Sequence, residues 1–130
     1  MGDSAAARRT VQRLALRRAF ESAARPLSPG EALAAAQAEV PRLGLATVYR
    51  NIRSLVDEGW LAEVPLPGAP NRYEVAGKRH HHHFRCRVCD RVFEVEACPP
   101  DLSRMVPRGF RLDSHDITLV GICAACARRG

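Results

Sequence analysis

Four of the five cysteines in this chain form two Cys-x-x-Cys pairs, Cys86 with Cys89 and Cys123 with Cys126. Two residues between cysteines let one turn bring both sulfurs to about 2.3 Å from a single ion, and four thiolates are the ligand set of a closed tetrahedral zinc site. The same pairs could instead act as redox-active dithiols, because Cys-x-x-Cys can be oxidised. The spacing predicts a structural Zn²⁺ at these cysteines, with a dithiol as the alternative.

Four consecutive histidines, His80 to His83, precede the first cysteine pair. Successive side chains of an extended segment point to opposite faces, so His81 and His83 should point one way and His80 and His82 the other. Imidazole is a common ligand for zinc and iron. The run therefore predicts two separate metal sites that share one strand.

The fifth cysteine, Cys98, lies outside both pairs. A thiolate from Cys98 would favour zinc over iron in a metal site that it joined. Cys98 could instead be a small, partly buried apolar residue, and this is the interpretation that we favour from the sequence.

Charge and composition narrow the class of protein. The 130 residues carry a formal net charge of +6, and Lys78 is the only lysine, so the basic side chains are nearly all arginine. Arginine suits paired contacts to phosphate and guanine, which makes a polyanionic partner plausible. No apolar stretch approaches the roughly 20 residues that span a bilayer, and no signal peptide is evident, so we expect a cytoplasmic protein without a membrane partner.

Three helices are expected to present a nucleic-acid-reading surface in the N-terminal half. The first carries an apolar stripe, formed by Val11, Leu14, Leu16 and Phe20, and an arginine-rich face opposite it. A capping box with proline at the first helical position, Ser28-Pro29-Gly30-Glu31, starts the second. The third begins near Leu45 and stops at Gly59, with a core face of Val48, Ile52, Leu55 and Val56.

The opposite face of the third helix has the chemistry to read DNA. Arginine and asparagine offer paired hydrogen bonds to base edges, and threonine and tyrosine reach phosphates. The residues concerned are Thr47, Tyr49, Arg50, Asn51 and Arg53. Two short strands, 60–64 and 72–75, follow as a hairpin joined by a proline- and glycine-rich loop. Three helices and a hairpin predict a winged helix-turn-helix.

The second half is expected to be a small α/β unit. We predict paired strands at 84–86 and 91–95, a short helix at 99–106 and a long strand at 110–123. The fold class is therefore α+β, with a winged helix-turn-helix at 1–76, a hinge at 77–79 and, at 80–130, a metal-binding α/β domain that holds the four-cysteine structural zinc.

Together these motifs resemble the ferric uptake regulator family of metal-dependent transcriptional regulators. The resemblance runs from about Arg8 to Cys126 and is carried by Leu45-Ala46-Thr47-Val48-Tyr49-Arg50, the histidine run with its cysteine pair, His115 and the closing cysteine pair. It implies a homodimer, with 80–130 as the dimerisation domain, that binds a palindromic double-stranded DNA operator when a regulatory Zn²⁺, Fe²⁺ or Mn²⁺ is bound. The chain is also similar to zinc uptake regulators in its four-histidine run.

The resemblance also implies two further ligand sets. A sensing site between the domains maps onto Glu74, His81 and His83. A second site in the dimerisation domain maps onto His80, His82, an acid and His115. The acid is assigned to Asp101, although a different gap placement puts Cys98 there.

Some ligands typical of the family are absent. Iron- and peroxide-responsive members supply a histidine at the position of Pro26, and zinc-responsive members an aspartate and a cysteine near Ala62 and Ala76. Glu63 or water could complete the sensing site instead.

The sequence therefore favours a metal-responsive repressor of metal-uptake genes, with zinc preferred over iron and no small organic substrate. One alternative is a zinc-stabilised nucleic-acid-binding module without sensing. The other is a metalloenzyme, which lacks support because the sequence has no His-Glu-x-x-His helix and no phosphate-cradling glycine loop.

Overall fold

The computed structural model describes residues 2–130, which form two compact units that divide between Lys78 and Arg79. The first unit contains helices α1 (Gly2–Ala23), α2 (Pro29–Ala36) and α3 (Leu45–Asp57), then strands β1 (Leu61–Leu66) and β2 (Ala69–Val75). The second contains β3 (His82–Cys86), β4 (Val92–Val95), a 3₁₀ turn (Ser103–Met105), β5 (Thr118–Gly121) and α4 (Ala124–Arg129). Among the described residues, no helix combines the length and apolar character that crossing a membrane requires.

The face of helix α1 that packs on the core agrees only in part with the predicted one. Leu16 and Phe20 are buried as expected, but Val11 is 52% and Leu14 41% exposed. Two alanines, Ala15 and Ala19, complete the buried face. At 1.5 Å per residue α1 is about 33 Å long and α2 only about 12 Å, so the first turns of α1 have little to pack against.

Helix α2 begins as predicted. Ser28 accepts a hydrogen bond from the Glu31 backbone N–H at 3.0 Å, and the Glu31 carboxylate accepts one from the Ser28 backbone N–H at 3.0 Å. Pro29 occupies the first turn, where its missing N–H costs nothing. A capping residue of this kind stabilises a helix by about 1 kcal/mol. The start of α2 is therefore marked by local interactions that the sequence encodes.

Helix α3 has the predicted amphipathic pattern. Val48, Ile52 and Leu55 are each at most 3% exposed and face the helical core, with Val56 packed at its edge. Burying side chains of this size contributes about 1.5–3 kcal/mol each. Gly59, with φ +81°, ends the helix in a left-handed conformation that glycine adopts without strain.

Strands β1 and β2 form an antiparallel hairpin that is longer than predicted. The strands continue through Pro65 and Pro70, and the turn contains only Pro67 and Gly68. The register shifts between Val64 and Leu66, which places Pro65 at a bulge. A bulge tolerates proline because the residue there makes no ladder hydrogen bond.

The second unit is built on a three-stranded sheet in the order β4-β3-β5, with β3 antiparallel to β4 and parallel to β5. The central strand carries His82, His83 and Cys86, so metal-binding residue types lie along its whole length. Gly121 on β5 lies against the Phe84 ring, where an added Cβ would come within 3.0 Å of the ring.

Two predicted elements of the second unit are much shorter than expected. The helix at 99–106 is reduced to the 3₁₀ turn Ser103–Met105, and the strand at 110–123 to Thr118–Gly121. Helix α4, which starts directly after Cys123, was not predicted from the sequence. We attribute these errors to the weak periodicity of a segment in which side-chain ligands, more than an apolar face, determine the path of the chain.

Candidate metal centres and nucleic-acid interface

The four paired cysteines meet at one end of the sheet. Cys86 ends β3, Cys89 lies in the turn before β4, and Cys123 and Cys126 bracket the first turn of α4. All four sulfurs lie within 4.8 Å of one another, and the Sγ atoms of Cys89 and Cys123 are 3.9 Å apart. Tetrahedral zinc with Zn–S bonds of about 2.3 Å holds sulfurs about 3.8 Å apart. The donor set and its spacing therefore fit a structural zinc.

Backbone amides prepare this site for a cation. The buried Cys86 sulfur accepts N–H bonds from Cys123 at 3.3 Å, Val88 at 3.4 Å and Cys89 at 3.5 Å. These donors, that of Cys123 foremost, lower the pKa of Cys86 to about 6 and so favour the thiolate. A hydrogen bond to Cys123, together with burial, raises the pKa of Cys126 to about 12. Ionising all four thiols together therefore requires a bound positive charge.

A second cluster combines three imidazoles with one thiol. Cys98 Sγ lies 3.1 Å from His115 Nε2, 3.3 Å from His82 Nε2 and 3.6 Å from His80 Nε2. His80 Nε2 is 3.1 Å from His82 Nε2 and 3.2 Å from His115 Nε2. Zinc–nitrogen bonds of about 2.0–2.1 Å in a tetrahedron separate nitrogens by about 3.3 Å. One ion at the centre would reach all four donors.

The structure brings Cys98 into this cluster, and it does not bring Asp101. The Asp101 carboxylate instead accepts a hydrogen bond from the Ser103 backbone N–H at 3.0 Å and lies 3.4 Å from the Arg104 guanidinium. Asp101 thus caps the 3₁₀ turn. Cys98 is exposed to solvent, so the prediction that it is a small, partly buried apolar residue is wrong. The alternative gap placement describes the observed arrangement.

His82 is the buried member of the second cluster, with 2% of its surface exposed. Burial has the largest effect on His82 and lowers its pKa, and the neighbouring His80 and His115 lower it further. The ring is thereby kept in the neutral form that binds metals. The backbone N–H of Ile117 donates to its Nδ1 at 3.1 Å and fixes the direction of the ring. This contact was not predicted from the sequence, because a backbone donor leaves no signal there.

His81 and His83 form the other histidine pair, with ring centroids 4.8 Å apart. The alternation predicted for the run therefore holds. His81 donates its Nδ1–H to the carbonyl oxygen of Arg79 at 2.7 Å, since a carbonyl can only accept. This bond fixes the tautomer of His81, with the proton on Nδ1 and the lone pair on Nε2. Histidines that bind metals are commonly held by a second hydrogen bond of this kind.

Within the first unit, Glu74 and Glu63 lie on opposite faces of the hairpin. Glu74 is opposite Ala62 on the neighbouring strand, and Glu63 is opposite Tyr73. Residues that are directly opposite share a face, and successive residues alternate. Glu63 also accepts a hydrogen bond from Asn71 at 3.2 Å. The register thus gives Glu63 and Glu74 different faces of the hairpin, and the part of Glu63 in the sensing site stays a prediction.

The polar face of α3 is open to solvent. Tyr49 is 52% exposed, and Arg50 and Arg53 are also exposed. Arg50 donates to the Thr47 hydroxyl at 3.1 Å, and the Asn51 amide donates to the Thr47 carbonyl at 2.9 Å. These bonds lie along the helix surface and hold the side chains in ordered positions. The face is suited to contacts with phosphates and base edges.

Comparison with known proteins adds an independent result. The model of the ferric uptake regulator family matches residues 4–120. The ferric uptake regulation protein of Bordetella parapertussis is 33% identical over 109 residues, which cover 80% of this chain and 77% of that protein. That of Campylobacter upsaliensis is 34% identical over 89 residues, which cover 65% of this chain but only 56% of that protein's length. The structure of a zinc-bound manganese uptake regulator superposes with a TM-score of 0.73 at 25% identity, covering 86% of this chain and 87% of the other.

Proposed function

The chain belongs to the ferric uptake regulator family, and on that premise we propose that it is a metal-responsive transcriptional regulator that represses metal-uptake genes. Members of this family are transcriptional regulators and not enzymes, so the metalloenzyme alternative is set aside. The observation that carries the proposal is the division of four consecutive histidines into two pairs, one of which converges with His115 and Cys98.

The metal sites have different proposed roles. Zinc at the four paired cysteines is structural, because a closed set of four thiolates leaves no open coordination position. Glu74, His81 and His83 are proposed to bind the regulatory metal, as the family resemblance implies. The cluster of His80, His82, His115 and Cys98 is the proposed second site, in which Cys98 replaces Asp101.

Zinc is the proposed metal of the second site. A thiolate with three imidazoles is a soft, nitrogen-rich donor set, whereas iron(II) and manganese(II) sites contain more carboxylate and water oxygens. Four donors within 3.1–3.6 Å of their neighbours suit tetrahedral coordination, which zinc adopts readily. We extend this preference to the regulatory metal, for which zinc is favoured over iron.

The first unit is proposed to be a winged helix-turn-helix. Three helices followed by a hairpin have the required order, and α3 offers the exposed polar face that a recognition helix needs in the major groove. The proposed reading residues are Thr47, Tyr49, Arg50, Asn51 and Arg53. A homodimer would present two such helices to a palindromic operator. Because the partner is chromosomal DNA, the proposal places the protein in the cytoplasm.

Metal and DNA are coupled by linkage. Suppose that the metal binds the DNA-competent arrangement of the chain more tightly than the other arrangements. The metal then raises the affinity for DNA by the ratio of its affinities for these arrangements, and DNA raises the affinity for metal by the same factor. Ligands from both 1–76 and 80–130 would restrain the predicted hinge at 77–79. Each tenfold change in affinity corresponds to about 1.4 kcal/mol of binding free energy.

Selection from a random duplex library tests the proposal. The full chain is incubated with the library in buffered zinc or with chelator, and bound duplexes are amplified and sequenced. We expect an inverted repeat to be enriched only with metal. Enrichment of the same sequence with or without metal would support the nucleic-acid-binding module without sensing, and no enrichment in either condition would contradict both functions.

A further inference from the structure

The wing strand β2 is joined by its backbone to the segment that starts helix α2. Leu27 N–H donates to the Tyr73 carbonyl at 2.8 Å, and Tyr73 N–H donates to the Leu27 carbonyl at 2.9 Å. These two bonds form an isolated antiparallel bridge beside the hairpin. Leu27 lies directly before Ser28, the N-cap of α2. The strand and the start of the helix are therefore linked through adjacent residues.

One carboxylate reinforces this link. Glu31 in the first turn of α2 accepts hydrogen bonds from Arg72 on β2 at 3.0 Å and from the Ser28 backbone at 3.0 Å, through the same oxygen. Its other oxygen lies 3.0 Å from the Arg25 guanidinium. The Arg72 side chain is only 7% and that of Glu31 26% exposed. A charge-assisted pair sheltered in this way is stronger than one at the surface and is costly to break.

The strand end of this link lies next to the proposed regulatory ligand. Arg72 and Glu74 are two residues apart on β2, and their neighbours across the hairpin are Val64 and Ala62. Their side chains therefore leave the same face of the strand. Arg72 and Glu74 are 5% and 6% exposed. A shift of the strand at Glu74 would thus reach Arg72 directly.

The helix end of the link lies next to the DNA-reading helix. Ala32 and Ala36 of α2 belong to the same buried cluster as Val48 and Ile52 of α3. Small alanine side chains bring helix backbones close together, and close-packed interiors transmit displacement instead of absorbing it. A change in the position of α2 would therefore change that of α3.

We propose that Glu31 is a positioning residue that couples metal at Glu74 to the DNA-reading helix, through its ion pair with Arg72. This inference rests on the proposed function, and it assigns the coupling to a contact that touches neither metal nor DNA. The Leu27–Tyr73 bridge holds the two elements side by side. The ion pair makes the contact rigid.

The test is a coupling measurement with a matched control. Operator affinity of the full chain is measured with buffered zinc and with chelator, using an inverted-repeat duplex from the library selection. The variants are Glu31→Gln, Arg72→Gln and Arg72→Lys, and the control is Glu39→Gln, which removes a different ion pair, that with Arg18 at 2.8 Å. Melting of every protein is recorded in both conditions.

We expect Glu31→Gln and Arg72→Gln to reduce the ratio of the two operator affinities about tenfold. Arg72→Lys should restore part of the ratio, and Glu39→Gln should keep the wild-type value. A merely structural role would lower melting and weaken both affinities equally, which would leave the ratio unchanged and overturn the inference. Because Arg72→Gln keeps the capping box of α2, it provides a second test if Glu31→Gln fails to fold.

The two levels of the proposal fail in different ways. A wild-type protein whose operator affinity does not depend on metal overturns the proposed function, and the inference falls with it. A wild-type ratio well above one that Glu31→Gln and Arg72→Gln both retain overturns the inference alone.

Discussion

Ile117 donates its backbone N–H to Nδ1 of His82 at 3.1 Å, on the side of the ring opposite the second cluster. A neutral imidazole carries one proton, so a ring that accepts at Nδ1 carries that proton on Nε2. Nε2 is the atom that faces Cys98 and His80. His81 has the opposite arrangement, with its Nδ1–H donated to Arg79. The two histidines are thus prepared differently for a metal.

Metal binding at the second cluster should therefore disturb Ile117. A metal on Nε2 of His82 needs the lone pair there, which moves the proton to Nδ1 and removes the acceptor. We expect the Ile117 amide resonance to shift and its hydrogen exchange to accelerate when zinc fills the second site. The control is His115→Ala, which should bind zinc at the four paired cysteines without this response. An Ile117 amide that does not respond in wild-type protein, with zinc in both the four-cysteine site and the second site, would contradict His82 as a ligand of the second site.

Removing one ligand of the four-cysteine site should destabilise the second unit. Cys86→Ser leaves a buried hydroxyl among three thiols and loses metal binding energy that contributes directly to folding. We expect one zinc fewer per chain and a loss of several kcal/mol in the free energy of unfolding, on the order found for small zinc domains. Calorimetry and elemental analysis measure both. Cys98→Ser is the matched control and should retain this zinc. Wild-type melting of Cys86→Ser would count against a structural role.

The identity of the fourth ligand in the second site can be tested with cobalt. Co²⁺ bound to a thiolate gives an intense near-ultraviolet charge-transfer band, which a site of only nitrogen and oxygen ligands lacks. Titrating Co²⁺ into protein whose four paired cysteines already hold zinc should produce this band in the wild type and in Asp101→Asn. It should be absent in Cys98→Ser. A wild-type protein that binds Co²⁺ at this site without the band would contradict Cys98 as a ligand and would restore Asp101.

Arg50 is expected to contribute to operator binding and not to metal binding. Its guanidinium is exposed on α3 and held by Thr47. Loss of a paired contact to a base costs about 1–3 kcal/mol. Arg50→Ala should weaken operator binding by this amount. Its zinc affinity, measured by competition with a chelator, should equal that of the wild type. Arg104→Ala, which removes an exposed arginine from the second unit, controls for net charge. Equal losses in both variants would show that charge alone matters.

The sequence predicted the first unit better than the second, for a physical reason. The capping box at Ser28 and the spacing of Val48, Ile52 and Leu55 are local signals that the fold preserves. In the second unit the alternation of histidines also survives, since strand geometry fixes it. The long strand predicted up to Cys123 does not, because its first half follows His115 toward the cluster instead of joining the sheet.

The position of Cys98 relative to the histidines could not be predicted from the sequence. Its role depended on where a gap falls in a comparison with the family, and neither periodicity nor spacing decides that. The structure places the Cys98 sulfur 3.1–3.6 Å from three imidazole nitrogens, which supports the placement with Cys98 in the cluster. Ile117 and the Arg72–Glu31 pair depend on contacts between residues 35 and 41 positions apart, which no local pattern reveals.

The proposal that metal controls DNA binding is tested most directly by comparing the operator affinity of the chain with and without the regulatory metal. Fluorescence anisotropy is recorded for the wild type and for a His81→Ala, His83→Ala double variant on a labelled inverted-repeat duplex, across buffered zinc, iron(II) and manganese(II). We predict that zinc tightens wild-type binding at least tenfold, a typical coupling, and that the double variant stays folded but loses the response. Equal wild-type affinity in metal and in chelator would show that the chain does not couple metal binding to DNA binding.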